Sequence, residues 1–193
     1  IFFLLALFGF PSFAFAVYNS ECKEHLRYTD EQVDLNFTYS YCVHSESESS
    51  PDLVVYYFHG RGGTHHSWRE TAFVNTVEQT WAEQLGGRQP TVISISMGEE
   101  TNIALDHMPE AYLEEIFPSI EQQHLNLLPQ KRFVVGVSLG GWNAMHLILK
   151  DQSFFDRTTL LCPAISKIHP WSPSSEVRRY IQKLDIHQLK DRL

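Results

Sequence analysis

The residues best placed to do chemistry centre on Ser138, in Phe133-Val134-Val135-Gly136-Val137-Ser138-Leu139-Gly140-Gly141-Trp142. An apolar run enters this motif and an apolar-periodic segment leaves it. Gly-x-Ser-x-Gly therefore stands where a buried strand turns sharply into a helix, the arrangement of a nucleophile elbow. Such a corner is strained, and the positions two before and two after the serine must be nearly free of side chain. Gly136 and Gly140 meet that need, and Gly141 lets the helix approach the sheet. A serine held this way can attack a carbonyl carbon, with the Leu139 amide directed at the developing oxyanion and the helix N-terminus adding favourable potential. The bland alternative is a tight turn with an ordinary serine; the strand before and the helix after favour the elbow.

A second glycine motif lies upstream. The apolar run Leu53 to Phe58 ends in His59-Gly60-Arg61-Gly62-Gly63. Glycines here let the backbone turn an N–H toward a substrate with no side chain in the way, as the second oxyanion element after a strand requires. Taken alone, the stretch is equally a glycine-rich turn.

The elements that position these motifs alternate in type. Asp52–Phe58, Pro90–Met97, Lys131–Val137 and Thr158–Ile165 are short runs rich in Val, Ile, Phe and Leu and read as four buried strands. Between them, Phe73, Val77, Trp81 and Leu85 recur every four residues. Tyr112, Leu113, Ile116, Phe117 and Ile120 share one helical face, with Pro118 expected to kink that helix, and a third helix after Ser138 carries Trp142, Met145 and Leu149. Strands alternating with helices imply crossovers and a mostly parallel central sheet covered on both faces. Val33 to His44 alternates polar and apolar, as an antiparallel edge hairpin would. Ser45 to Ser50 reads as a solvated turn.

Tyr57-Phe58-His59-Gly60-Arg61-Gly62-Gly63, the helix Tyr112 to Glu121 and Gly136-Val137-Ser138-Leu139-Gly140-Gly141 together resemble the esterase D and feruloyl esterase family, which groups S-formylglutathione hydrolases, feruloyl and acetyl esterases and mycolyltransferases. The resemblance spans Leu53 to Ser172, and its two glycine motifs are its specific part. It implies an α/β-hydrolase fold, hydrolysis of carboxylic esters through an acyl-enzyme, and no cofactor. Ser138 is then the nucleophile, and the amides of Leu139 and Arg61 form the oxyanion hole, with Gly62 the alternative donor. Phe154-Phe155-Asp156 resembles the family's usual phrase ahead of the next strand. Pro163 to Pro173 would open the variable region over the pocket, and Trp68 and Trp171 are candidates to line it.

The chain departs from the family where the triad should continue as Ser, then Asp or Glu, then His. After Ile165 no convincing strand follows; Ser174 to Leu193 reads as one amphipathic helix carrying Val177, Tyr180, Ile181, Leu184 and Leu189. The acid and general base are expected beyond Leu193, in a domain truncated at its C-terminus, with 166–193 a cap or variable helical segment. Asp156, His169, Asp185 and His187 follow Ser138 in acceptable order, but Asp185 and His187 lie two apart on the expected helix and point in different directions. His169, on a loop beside Pro170 and Trp171, is the least poor substitute base. His146 reads as a packed or solvated residue of the elbow helix. His65 and His66 are adjacent, and in an extended stretch they would face opposite ways, so no metal site is expected.

Composition limits the remaining possibilities. The chain has 193 residues, 43% of them hydrophobic and a net charge of -8, which suits one globular domain and carries no electrostatic footprint for nucleic acid or an anionic membrane. The expected partner is a small-molecule or carbohydrate-linked ester. Ile1 to Ala16 is uncharged and apolar, ends in Ala14-Phe15-Ala16 and reads as a signal peptide lacking its n-region, cleaved after Ala16, the alternative being a buried or membrane-anchoring N-terminal helix, which Gly9, Pro11 and the Ala-x-Ala end disfavour. A secreted or periplasmic protein without stable membrane insertion follows. In that setting Cys22 and Cys42 can close a disulfide, while Cys162, in an apolar run, is expected to be a buried free thiol. Asn36-Phe37-Thr38 is a glycosylation sequon common by chance. Two other readings of the same fold are a non-catalytic binding domain, and an acyltransferase or peptidase.

Overall fold

The computed structural model describes residues 19–45, 50–71, 74–97, 107–125 and 128–164. The expected signal segment and segment 166–193, with His169, Trp171, Asp185 and His187, lie outside them. The elements in chain order are β1 (Asn19–Asp30), β2 (Leu35–Ser45), β3 (Ser50–Phe58), α1 (Ser67–Glu70), α2 (Val74–Gln84), β4 (Pro90–Met97), α3 (Met108–Ala111), a π turn (Tyr112–Ile116), α4 (Phe117–His124), β5 (Lys131–Val137), α5 (Leu139–Lys150) and β6 (Arg157–Leu161).

The six strands form one sheet in the order β1-β2-β4-β3-β5-β6. It is mixed. β4, β3, β5 and β6 run parallel, whereas β2 pairs antiparallel with both β1 and β4. The expected parallel sheet is thus confined to four strands. The expected hairpin is also displaced: Val33–His44 does not fold on itself, because its strand β2 takes the upstream β1 as partner. β1 is largely exposed, and only Leu26 and Tyr28 pack against the core, an apolar alternation too short for the sequence to announce the strand.

The central strands bury both faces because side chains alternate across the sheet. Val54, Tyr56 and Phe58 of β3 join Ile93, Ile95, Met97, Val134 and the apolar faces of α3, the π turn, α4 and α5 in one core layer. Val55 and Tyr57 point the other way, to Val92, Trp68 of α1 and Val74 of α2. Trp68, expected as a possible pocket residue, is fully buried there, stacked on Trp81 with ring centroids 5.7 Å apart.

Pro118 leaves a specific mark. It cannot donate to the preceding turn, and the helix widens just before it into the π turn, closed by the Phe117 N–H donating to the Tyr112 carbonyl. Through the widened turn Tyr112, Leu113, Ile116 and Phe117 all lie in the core. Below it, buried Glu121 accepts two hydrogen bonds from Arg132 and one from the Tyr56 hydroxyl, all at 2.7 Å. That network ties α4 to β3 and β5. Burial and the Glu121 charge push the Tyr56 phenol far above its ordinary pKa.

Cys22 and Cys42 are opposite one another in the β1–β2 ladder and form a disulfide, with Cα atoms 4.0 Å apart. It fastens the outermost strand to the sheet and closes a loop worth about 3 kcal/mol in the chain-entropy account. Cys162 differs from expectation. β6 ends at Leu161 rather than continuing to Ile165, and Cys162 follows it at φ 46° as an exposed free cysteine.

Candidate active site

β3 and β5 are adjacent and parallel, with Phe58 opposite Gly136, so the two glycine motifs leave the sheet side by side at the same edge. Sequence placed each motif after a strand; the pairing brings them together. A Cβ added to Gly60 would lie 3.3 Å from the Cβ of Ser138.

Ser138 sits at φ 52° and ψ −112°, outside the regions that L residues ordinarily occupy. It is half-buried, at the start of α5, and its hydroxyl makes no capping bond to that helix. The backbone around it is clamped. The Ser138 N–H donates to the Leu161 carbonyl at 2.8 Å, and the Ser138 carbonyl accepts from the Ala164 N–H at 2.9 Å and the Gly141 N–H at 3.1 Å. These bonds offset the strain by tying the corner to the end of β6. The glycines are needed for room. A Cβ on Gly136 would meet the Gly140 carbonyl oxygen and the Gly141 Cα at 2.6 Å, and one on Gly140 would overlap the Phe58 and His59 backbone.

The loop His59–Gly63 is a tight turn closed by the Gly63 N–H donating to the Gly60 carbonyl at 3.1 Å, with Gly62 at φ 78°. A positive φ at the third position of such a turn is what glycine provides. Gly63 has a steric reason of its own, since a Cβ there would meet Ser67 Oγ at 2.8 Å. Buried His59 holds the turn: its Nδ1 donates to the Gly60 carbonyl at 2.8 Å and its Nε2 bonds Ser96 Oγ at 2.9 Å. Burial lowers the His59 pKa, which keeps the ring neutral and able to donate from one nitrogen while accepting at the other. Sequence reasoning had not marked Ser96. The alternation Ser94, Ser96 within β4 was the available signal that one face of that strand carries hydroxyls.

The other candidates are dispersed. Asp156 accepts from the Arg132 N–H at the start of β5, at the opposite end of the strand from Ser138, so it cannot serve as the triad acid. Among the described residues no histidine is hydrogen-bonded to the Ser138 hydroxyl. His65 and His66 do not face opposite ways as expected: they lie in a turn before α1 rather than an extended stretch, with ring centroids 4.2 Å apart.

His146 is packed on α5, its ring edge-on to Trp142 at 4.8 Å, and burial lowers its pKa to about 4. That has a measurable consequence. An unfolded histidine titrates near 6.5, so above about pH 6.5 both states are neutral and His146 leaves stability unchanged. Between about 6.5 and 4 the unfolded chain takes up a proton that the fold refuses, and stability declines by up to about 3 kcal/mol. Denaturant melts across this range should show the decline, and His146→Leu should remove that part of the slope; an identical slope in the variant would refute the assignment.

No protein-family model matches the sequence, and no curated protein matches it. Solved structures do. A CE1 ferulic acid esterase from Anaeromyces mucronatus in complex with ferulic acid is similar at TM-score 0.56 and 13% identity, over 78% of this chain and 60% of that one. The Staphylococcus aureus fluorophosphonate-binding serine hydrolase FphF, substrate bound, is similar at TM-score 0.56 and 16% identity, over 91% of this chain and 72% of that one. An S-formylglutathione hydrolase from Agrobacterium tumefaciens follows at TM-score 0.50 and 17% identity, over 78% and 60%. The chain therefore spans 60% to 72% of the lengths of these structures. Among its described residues no helix is long and apolar enough to cross a membrane. Parallel strands feeding a strained serine corner, a glycine turn beside it, and this set of structural neighbours converge on one conclusion: the chain has the α/β-hydrolase fold, and the solved structures it resembles are esterases and serine hydrolases.

Proposed function

We propose that the protein is a serine hydrolase that cleaves carboxylic esters through an acyl-enzyme, with Ser138 as nucleophile. The observation that carries this reading is the Ser138 backbone at φ 52° and ψ −112°, held at a strand-to-helix corner by partners on β6 and its following loop. A strained backbone so thoroughly supported points to a demand on where the side chain goes.

The chemistry then runs as follows. Ser138 Oγ attacks the ester carbonyl carbon while its proton passes to a general base, and the carbonyl oxygen becomes an oxyanion. The Leu139 amide, among the first N–H groups of α5 that have no helical partner, is one donor to it. The amide of Arg61 is the second, with Gly62 the alternative, on the turn that His59 and Ser96 hold against Ser138. Collapse of the tetrahedral intermediate expels the alcohol, and water releases the acid. The base and the acid that orients it lie outside the described residues, and no cofactor is needed. A small-molecule or carbohydrate-linked ester suits the acidic chain, and the disulfide suits an oxidising compartment such as the periplasm or the exterior.

A fluorophosphonate probe tests the reading, because it labels only an activated serine. Full-length protein should be labelled at Ser138, and Ser138→Ala should not be labelled at all. Absence of labelling in well-folded wild-type protein would favour a binding domain and overturn the proposal.

A further inference from the structure

A second group of chemically competent side chains lies beside the glycine turn. β1 carries a bulge in which Glu24 and His25 both oppose Ser40, with His25 at φ 52° and its N–H donating to Ser40 Oγ at 3.0 Å. Bulges re-aim side chains. Here Glu24 reaches His65 and His66 in the turn before α1: its Oε1 is 3.5 Å from His65 Nε2 and 3.2 Å from His66 Nε2. One ligand atom from each of the three residues lies within 4.8 Å of the others.

The hydrogen-bond pattern decides which atoms carry protons. The Gly60 carbonyl can only accept, so His59 donates from Nδ1 and its Nε2 must accept from the Ser96 hydroxyl. The Ser96 oxygen is then left to accept, and His65 Nδ1, 3.4 Å away, is the donor. In its neutral form His65 therefore presents a bare lone pair at Nε2. That atom is buried, and the group it faces, 3.5 Å away, is a carboxylate oxygen that also has only lone pairs to offer. Two acceptors pointed at each other, one of them on a buried ring, favour a cation between them.

We propose that Glu24, His65 and His66 bind a divalent transition ion of the zinc class, in a site that joins the β1 bulge to the turn before α1. Two imidazole nitrogens and one carboxylate oxygen form a donor set such ions favour, with the fourth position left to water. Tetrahedral bonds of about 2.05 Å place ligand atoms about 3.3 Å apart, close to the separations Glu24 already makes. Ligating histidines need their second nitrogen oriented, and both have a partner: His65 Nδ1 on Ser96, and His66 Nδ1 on the disulfide sulfur of Cys42 at 3.4 Å. The nearby cation Arg69 is matched by Glu78 at 2.6 Å, which limits its opposition to a bound ion. Because the disulfide withholds both thiolates, the site is built from nitrogen and oxygen alone.

The site owes nothing to the esterase reading, and its test is independent of activity. Titrating oxidised, full-length protein with zinc chloride by calorimetry should give one tight site per chain. Glu24→Gln and His66→Asn, both at half-exposed positions, should each weaken it at least tenfold with unchanged circular dichroism, and His65→Asn likewise. Cobalt(II) as the probe should give visible absorption typical of four-coordinate nitrogen and oxygen ligation. A protein that takes up no zinc, or variants that bind it as tightly as the wild type, would overturn the proposal.

Discussion

Replacing Ser138 with alanine is expected to lower kcat/KM for a short-acyl p-nitrophenyl ester by about 10⁴-fold or more, with folding unaffected. The size follows from what remains. Without its nucleophile the site keeps only the oxyanion donors and substrate binding, which in serine hydrolases sustain a small residue of catalysis over water. Alanine keeps the Cβ and can hold the same φ of 52°, so the clamp to Leu161 and Ala164 survives and melting temperature should move little. Steady-state kinetics and a thermal melt on the same preparation separate the two effects. Turnover equal to the wild type would remove Ser138 from the mechanism, whatever the fate of the zinc site.

Gly140→Ala should be the most damaging conservative change in the described core, destabilising by about 4 kcal/mol or more. Its new methyl would occupy space already held by the Phe58 carbonyl and the His59 backbone, and neither can move aside. Phe58 is paired to β4 and β5 at once, and His59 is held by Gly60 and Ser96. Gly62→Ala is the control. Nothing lies within 4 Å of its added Cβ, so only the φ of 78° opposes it, at about 1 kcal/mol. Urea titrations of the two variants should therefore differ severalfold in the stability lost. Equal losses would mean that conformation, not space, governs the corner.

Much of the sheet was legible before any coordinates. β4 and β5 begin and end where their apolar runs do, since a strand buried on both faces must be apolar throughout and turn residues bound it. The elbow was legible for a similar reason, being a local steric problem with few solutions. β1 was not, because its sequence is mostly polar, with Lys23, Glu24, His25 and Arg27, and its alternation is limited to Leu26 and Tyr28. Cys162 was misplaced because apolar continuity after Leu161 outran the strand itself.

What the chain determines by itself is where backbone must bend and what may stand at the bend: Gly136 leaves room for Gly140 and Gly141 a few residues on, whereas the room that Gly140 leaves is for the distant Phe58 and His59 backbone. Tertiary structure alone decided the rest. Only strand pairing sets Gly60 against Ser138, and only an extra residue in β1 turns Glu24 toward His65 and His66. Such encounters depend on register between distant segments, which a one-residue slip would reverse and which no local propensity encodes.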